Sequence, residues 1–153
     1  MISSIESEDN LEQKRAIALL AGILAKQKKY IGSPHAFDVK FTRESFPAWL
    51  DQQSKKQEGK CHYCETSQAD INLLIDLGIL QSKRFKTRGR SLEIERLDSN
   101  SNCYSAENCA LICYFCNNDK SDVVSSSDYK FFFAEAKRNY IEHLLTKVAR
   151  ASA

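Results

Sequence analysis

Residues 92–122 read LEIERLDSNSNCYSAENCALICYFCNNDKSD, and the order of patterns inside this stretch decides the fold. Ser91 to Leu97 alternates as a strand does, with Leu92, Ile94 and Arg96 on one side. Asp98 to Cys103 is a loop rich in turn formers, and Asn108 to Cys113 (NCALIC) reads as a second short strand. Tyr114 to Lys120 should then turn into a helix that carries the pair Cys113-x2-Cys116. A matching pair, Cys61-x2-Cys64, stands upstream. Two intervening residues let both thiolates of a pair reach one ion at about 2.3 Å, and four thiolates close a tetrahedron with no position left for water. The expected cofactor is a structural zinc on Cys61, Cys64, Cys113 and Cys116. Unligated core thiols and a disulfide or redox pair are the alternatives. Cys103 and Cys109 fall outside the pairs and read as a loop thiol and a small buried strand residue.

Working outward, 153 residues make one domain, or one domain with a helical appendage. A hydrophobic share of 42% with 27% charged residues is globular composition and excludes a disordered or fibrous chain. The uncharged run Ala16 to Ala25 is about half the roughly 20 residues a membrane span needs, and no signal-peptide pattern precedes it. A soluble, cytoplasmic protein with no membrane partner is therefore expected. Its six cysteines then sit in a reducing compartment, where paired thiols serve metals more often than disulfides.

Residues 1–9 are polar and without period, and read as a flexible terminus; 10–60 form an N-terminal helical region. Its first helix, Asn10 to Tyr30, carries a stripe of Leu11, Ile17, Leu20, Ile23 and Leu24, ends in Lys26, Lys28 and Lys29 as a solvated cap, and stops at Gly32-Ser33-Pro34. A second helix is predicted from Thr42 or Ser45 to Gln53, presenting Phe46, Trp49 and Leu50. Residues 61–124 hold the core, including a short helix from Asp70 to Gly78. Residues 125–153 form a last helix with a buried face of Phe132, Ala136, Ile141, Leu144, Leu145 and Val148. His62, between two cysteines, and His143, on the polar side of the last helix, are expected at the surface.

The net charge of +2 neither demands nor excludes a nucleic-acid partner, so the distribution of charge has to decide. Residues 83–90, KRFKTRGR, hold five positive charges immediately before the first strand of the core. Arginines can pair with guanine edges and lysines with phosphates, so Lys83, Arg84, Lys86, Arg88 and Arg90 are candidate DNA contacts, with a solvated basic loop as the alternative.

The strand, loop, strand and helix around two knuckles form a treble-clef or ββα-metal layout. Within it, Glu95-Arg96, Asn108, Cys113, Cys116, Asn117 and Lys120 fall where the HNH (ββα-metal) endonuclease family commonly carries an acidic residue and its partner, an asparagine, and C-x2-C-N-x2-K. The chain resembles most the variant group of rare-cutting restriction endonucleases that has Arg in place of His and a tyrosine after the loop. The resemblance extends from about His35 through FTRESFPAWL and the first knuckle to Ser127. It implies an α+β fold, with a small ββα-metal zinc core flanked by N- and C-terminal helices.

A carboxylate on the first strand and an amide oxygen on the helix can share one hard divalent cation, leaving positions for water and phosphate oxygens. Glu95 and Asn117 would hold that catalytic magnesium, or manganese. Glu95 stands where the family more often has Asp, and Arg96 where the usual general base is a histidine. A guanidinium cannot take a proton near neutral pH, so Arg96 is suited to clamp a phosphate. The resemblance further implies a tyrosine and a histidine near the phosphate, at Tyr104 and His35. The function expected is a metal-dependent DNA endonuclease acting on double-stranded DNA, as a homodimeric Type II restriction enzyme or a related phage or mobile-element nuclease. A non-catalytic zinc-binding nucleic-acid module is the competing class.

Overall fold

The computed structural model describes residues 2–83 and 86–153, with side chains from residue 10 onward. Helix α1 spans Ile2–Lys29 and leads to a two-residue strand β1, Asp38–Val39. Helices α2 (Ser45–Lys56) and α3 (Gln68–Asp76) bracket the first cysteine pair. Strands β2 (Glu93–Arg96), β3 (Cys103–Tyr104) and β4 (Cys109–Ile112) precede helix α4 (Tyr114–Lys120). A short helix α5 (Ser126–Asp128), a π-helical turn over Tyr129–Phe133 and helix α6 (Ala134–Ala151) complete the chain. None of the described helices is long and apolar enough to cross a membrane.

The central hairpin pairs β2 with β4 antiparallel, Glu95 opposite Ala110 and Arg96 opposite Cys109. Every residue of β4 is buried. Its outer edge is closed by a side chain: the Gln57 amide accepts from Leu111 N–H (3.0 Å) and donates to Leu111 O (2.7 Å). The backbone N–H of His62 donates to the same carbonyl at 2.9 Å. An edge strand otherwise exposes a row of unpaired backbone groups, and here those groups tie the first knuckle to the hairpin. The second sheet, β1 parallel to β3 with Val39 opposite Tyr104, joins residues that no local pattern connects.

Local chemistry explains the helix starts. Ser67 caps α3 by accepting from Asp70 N–H (3.1 Å) and donating to its carboxylate (2.7 Å). Thr42 and Ser45 exchange backbone-to-hydroxyl bonds of 2.9 and 3.0 Å ahead of α2. Cys113 caps α4, its sulfur accepting from Cys116 N–H at 3.4 Å. The core beneath them includes Phe46, Leu50, Ile71, Leu74, Leu111, Ile112 and Ile141.

Three expectations are corrected. Helix α1 begins at Ile2 instead of Asn10, because extending a nucleated helix gains a hydrogen bond for each residue fixed. Its buried stripe is Ala16, Leu20 and Ile23, while Leu11 and Ile17 are 70% and 65% exposed. In the last helix, Phe132 is 65% exposed and Ala136 is also exposed, although Ile141 and Leu144 are buried as expected. The π turn accounts for this: Ala134 N–H reaches back five residues to Tyr129 O, and the inserted residue rotates the preceding helix face. Tyr129 and Ala134 are buried in place of Phe132.

Candidate active site

The two cysteine pairs converge. The sulfurs of Cys61, Cys64, Cys113 and Cys116 lie within 4.8 Å of one another, all buried. The first pair is brought in by a tight turn in which Cys61 N–H donates to Thr66 O and Glu65 N–H to Cys61 O, both 3.0 Å. Arg138 of α6 fastens that turn, donating to Cys64 O at 2.9 Å and pairing with Glu65 at 2.9 Å. Thiols packed this closely share protons: hydrogen bonding from Cys113 holds Cys64 down, and bonding to Cys116 pushes Cys113 up. Two buried hydroxyls beside the cluster, Thr66 and Tyr129, make no well-formed hydrogen bond. Thr66 borders Cys64 and Tyr129 borders Cys116. Thiolates held by a cation would give both hydroxyls an acceptor, so the cluster fits a tetrahedral structural zinc.

Beside this cluster lies a cleft of about 140 Å³, lined by Lys26, Ile94, Glu95, Arg96, Ser99, Tyr104, Asn117, Ser121 and Asp122. At about 30 Å³ per water, it holds a few waters or one tetrahedral oxyanion. Helix periodicity builds its floor. Asn117 and Lys120, three residues apart on α4, share a face that meets alternate residues Glu93 and Glu95 of β2. Asn117 Nδ2 donates to Glu93 Oε2 at 2.6 Å, and Lys120 Nζ pairs with Glu95 Oε1 at 2.5 Å. Lys120 is 1% exposed, so both members of this second pair are largely out of water. Burial pushes the Glu95 carboxyl up, and Lys120, Arg96 and Lys26 pull against it.

The loop between β2 and β4 is pinned by Asn108. Its Nδ2 donates to Asp98 O (3.1 Å), Ser101 Oγ (3.0 Å) and Cys103 O (2.8 Å), and its Oδ1 accepts from Asp98 N–H (2.8 Å). This sets Tyr104 at the cleft, where the guanidinium of Arg96 lies 5.3 Å over its ring and 4.7 Å over that of Phe37. Arg96 Nη1 also donates to Asn102 Oδ1 (2.5 Å) and Ser99 O (3.4 Å). The guanidinium is thus fixed in plane through one of its three nitrogens. Burial raises the Tyr104 hydroxyl above its ordinary pKa, so near neutral pH it is a phenol and a donor.

Glu95, Arg96, Tyr104 and Asn117, picked from the sequence, line one cleft; His35 does not. It is exposed on the loop between α1 and β1, where its own N–H donates to Ser33 Oγ (3.1 Å), and Phe37 two residues later makes the contact with Tyr104. In the basic block, Lys83 and Lys86 are exposed, and Arg84 lies outside the described residues. Arg88 and Arg90 turn back onto the protein, to Glu93 (2.8 Å) and Asp76 (2.6 Å). The sequence reading missed Lys26, Glu93 and Asp122. For Lys26 a signal existed: it stands three residues beyond buried Ile23, so its helix face continues the buried stripe into the site.

A hairpin, a following helix and two cysteine knuckles, with flanking helices, make an α+β fold with the ββα-metal layout. Among solved structures the chain is similar to PacI, a rare-cutting HNH restriction endonuclease described for the way it perturbs DNA, with 28% sequence identity and a TM-score of 0.54. The similarity covers 68% of this chain and 66% of PacI, so the chain matches just under two thirds of that enzyme's length. No protein-family model matches the sequence, and no curated protein matches it.

Proposed function

We propose that the protein is a metal-dependent DNA endonuclease of HNH type that hydrolyses phosphodiester bonds. One observation carries this reading: Glu95, Arg96, Tyr104 and Asn117 line a single polar cleft on a ββα unit similar to that of a restriction endonuclease. The oxygen donors of Glu95 and Asn117 suit a hard cation, magnesium or manganese, and the cleft leaves room for water. Such a cation supplies charge stabilisation for the phosphoryl oxygens and the leaving oxygen. Arg96, held against the adjacent rings of Phe37 and Tyr104, clamps the scissile phosphate, and Lys26 adds a second positive charge from α1. Tyr104 donates its hydroxyl to the same phosphate. Asp122, an exposed carboxylate at the cleft that accepts from the Ser121 hydroxyl at 3.0 Å, takes the proton from an attacking water.

The same reading assigns Lys83, Arg84 and Lys86 to DNA contact, residues 61–124 to the nuclease core, and 10–60 and 125–153 to helical flanks. One cleft per chain cuts one strand, so cleavage of both strands calls for a homodimer, as in a Type II restriction enzyme, or for sequential nicking by a phage or mobile-element enzyme. A cytoplasmic setting follows from that role. The second reading, a non-catalytic zinc-binding nucleic-acid module, draws on the Lys120–Glu95 pair, which neutralises the carboxylate without a cation.

Incubating the purified protein with supercoiled and linear DNA, with and without magnesium or manganese, separates the two. Discrete fragments or nicks are expected with metal only, and Asn117→Ala should abolish them while zinc content and DNA affinity persist. DNA binding without cleavage under any of these conditions would establish the module instead.

A further inference from the structure

We propose that Glu93 is the positioning residue of the cation site: its carboxylate sets which end of the Asn117 amide faces the cleft. The inference rests on the nuclease reading, in which Asn117 contributes an oxygen. An asparagine amide has two ends of nearly equal size, and a half-turn about its last bond exchanges a ligand oxygen for a repelling NH2 group. A carboxylate only accepts, so Glu93 selects the NH2 end at 2.6 Å and sends Oδ1 the other way.

Glu93 is itself held from its far side. Arg88 Nε donates to Oε1 at 2.8 Å and Nη2 to Oε2 at 3.3 Å, a two-point grip that fixes the carboxylate plane. The Arg88 guanidinium lies 4.8 Å over the ring of Tyr114, the first residue of α4. The next residue, Gly89, has φ +95°, and a Cβ there would touch Ile75, Phe115 and Tyr114 at 3.6 Å. Its carbonyl accepts from Gln68 Nε2 at 2.8 Å. The loop, strand and helix therefore hold one carboxylate in place, with a 19% exposed side chain and a site amide at its inner end. On this geometry Arg88 serves the cation site instead of DNA, whatever Lys83 and Lys86 do.

Mn2+ binding to the zinc-loaded full chain, followed by calorimetry or by the paramagnetic resonance of free Mn2+, tests this without recourse to activity. Glu93→Leu removes the acceptor and should weaken Mn2+ binding about 10- to 100-fold, the range for loss of an outer-shell partner, with zinc content unchanged. Asn117→Asp alone places two carboxylates face to face and should bind Mn2+ poorly. Combined with Glu93→Gln, donor and acceptor change places at constant net charge, and binding should return at least to the wild-type level. That rescue decides the matter should Glu93→Leu fail to fold. Unchanged affinity in a folded Glu93→Leu, or Asn117→Asp binding as tightly alone as in the pair, would overturn the role of Glu93. Mn2+ binding insensitive to Asn117→Ala would overturn the cation-site reading itself, and this inference with it.

Discussion

Among single residues, Lys120 is the most constrained: a lysine 1% exposed, paired with a carboxylate that is itself nearly buried. Truncating one partner of such a pair leaves an uncompensated charge, so Lys120→Ala should cost about 3–5 kcal/mol. For a chain of this size the melting temperature should fall by roughly 6–20 °C. Lys120→Met with Glu95→Gln, which removes both charges, should recover most of that loss in calorimetry; equal losses in the single and double variants would refute a desolvated pair. Tyr104→Phe asks a different question, since the ring that faces Arg96 stays and only the hydroxyl goes. Cleavage should fall by about 10²-fold or more, the usual effect of losing an active-site donor, and near-normal rates would leave Tyr104 as packing. Much of the candidate site was legible in the sequence because Glu95, Arg96 and Asn117 occupy fixed offsets on one strand and one helix, and each cysteine pair carries its own two-residue spacing. Glu93 was hidden because its contact with Asn117 depends on which elements meet. Glu93 looks like any surface residue until α4 is laid across it.

Elements show the same division. Strands β2 and β4 and helix α4 announce themselves by period, and the helix runs over Tyr114–Lys120 as expected. The pairing of β1 with β3 carries no local signal: each strand has two residues, and the register depends on the loop that Asn108 gathers. Removing that amide breaks four hydrogen bonds at about 0.5–1.5 kcal/mol each. Asn108→Ala should thus destabilise by about 2–6 kcal/mol, and it should depress cleavage more than zinc content because Tyr104 loses its anchor. Full activity in a folded Asn108→Ala protein would separate the loop from the site. The π turn was equally unreadable, since a single inserted residue leaves the composition of a helix intact while turning its face. That insertion explains why Phe132, expected in the core by its spacing, stands in solvent with Phe131 and Phe133.

For the whole molecule, the cysteine cluster joins residues from both sides of the chain's middle, and its four members are buried. Metal analysis should find about one zinc per chain. Cys113→Ser should lose both zinc and folding, because the same residue caps α4 and one missing thiolate opens the tetrahedron. A chelator should unfold the wild-type protein, with circular dichroism and metal content changing together; a stable, zinc-free wild type would dispose of the structural role. The cleft has another consequence, which concerns time. Its walls come from residues as far apart as Lys26 and Asp122, and its floor depends on a helix capped by Cys113. A ribosome makes the chain from its amino end, so α1 and the first cysteine pair emerge long before anything can close on them. A nascent chain of the proposed nuclease therefore cannot cut until the second knuckle clears the exit tunnel and finds the first.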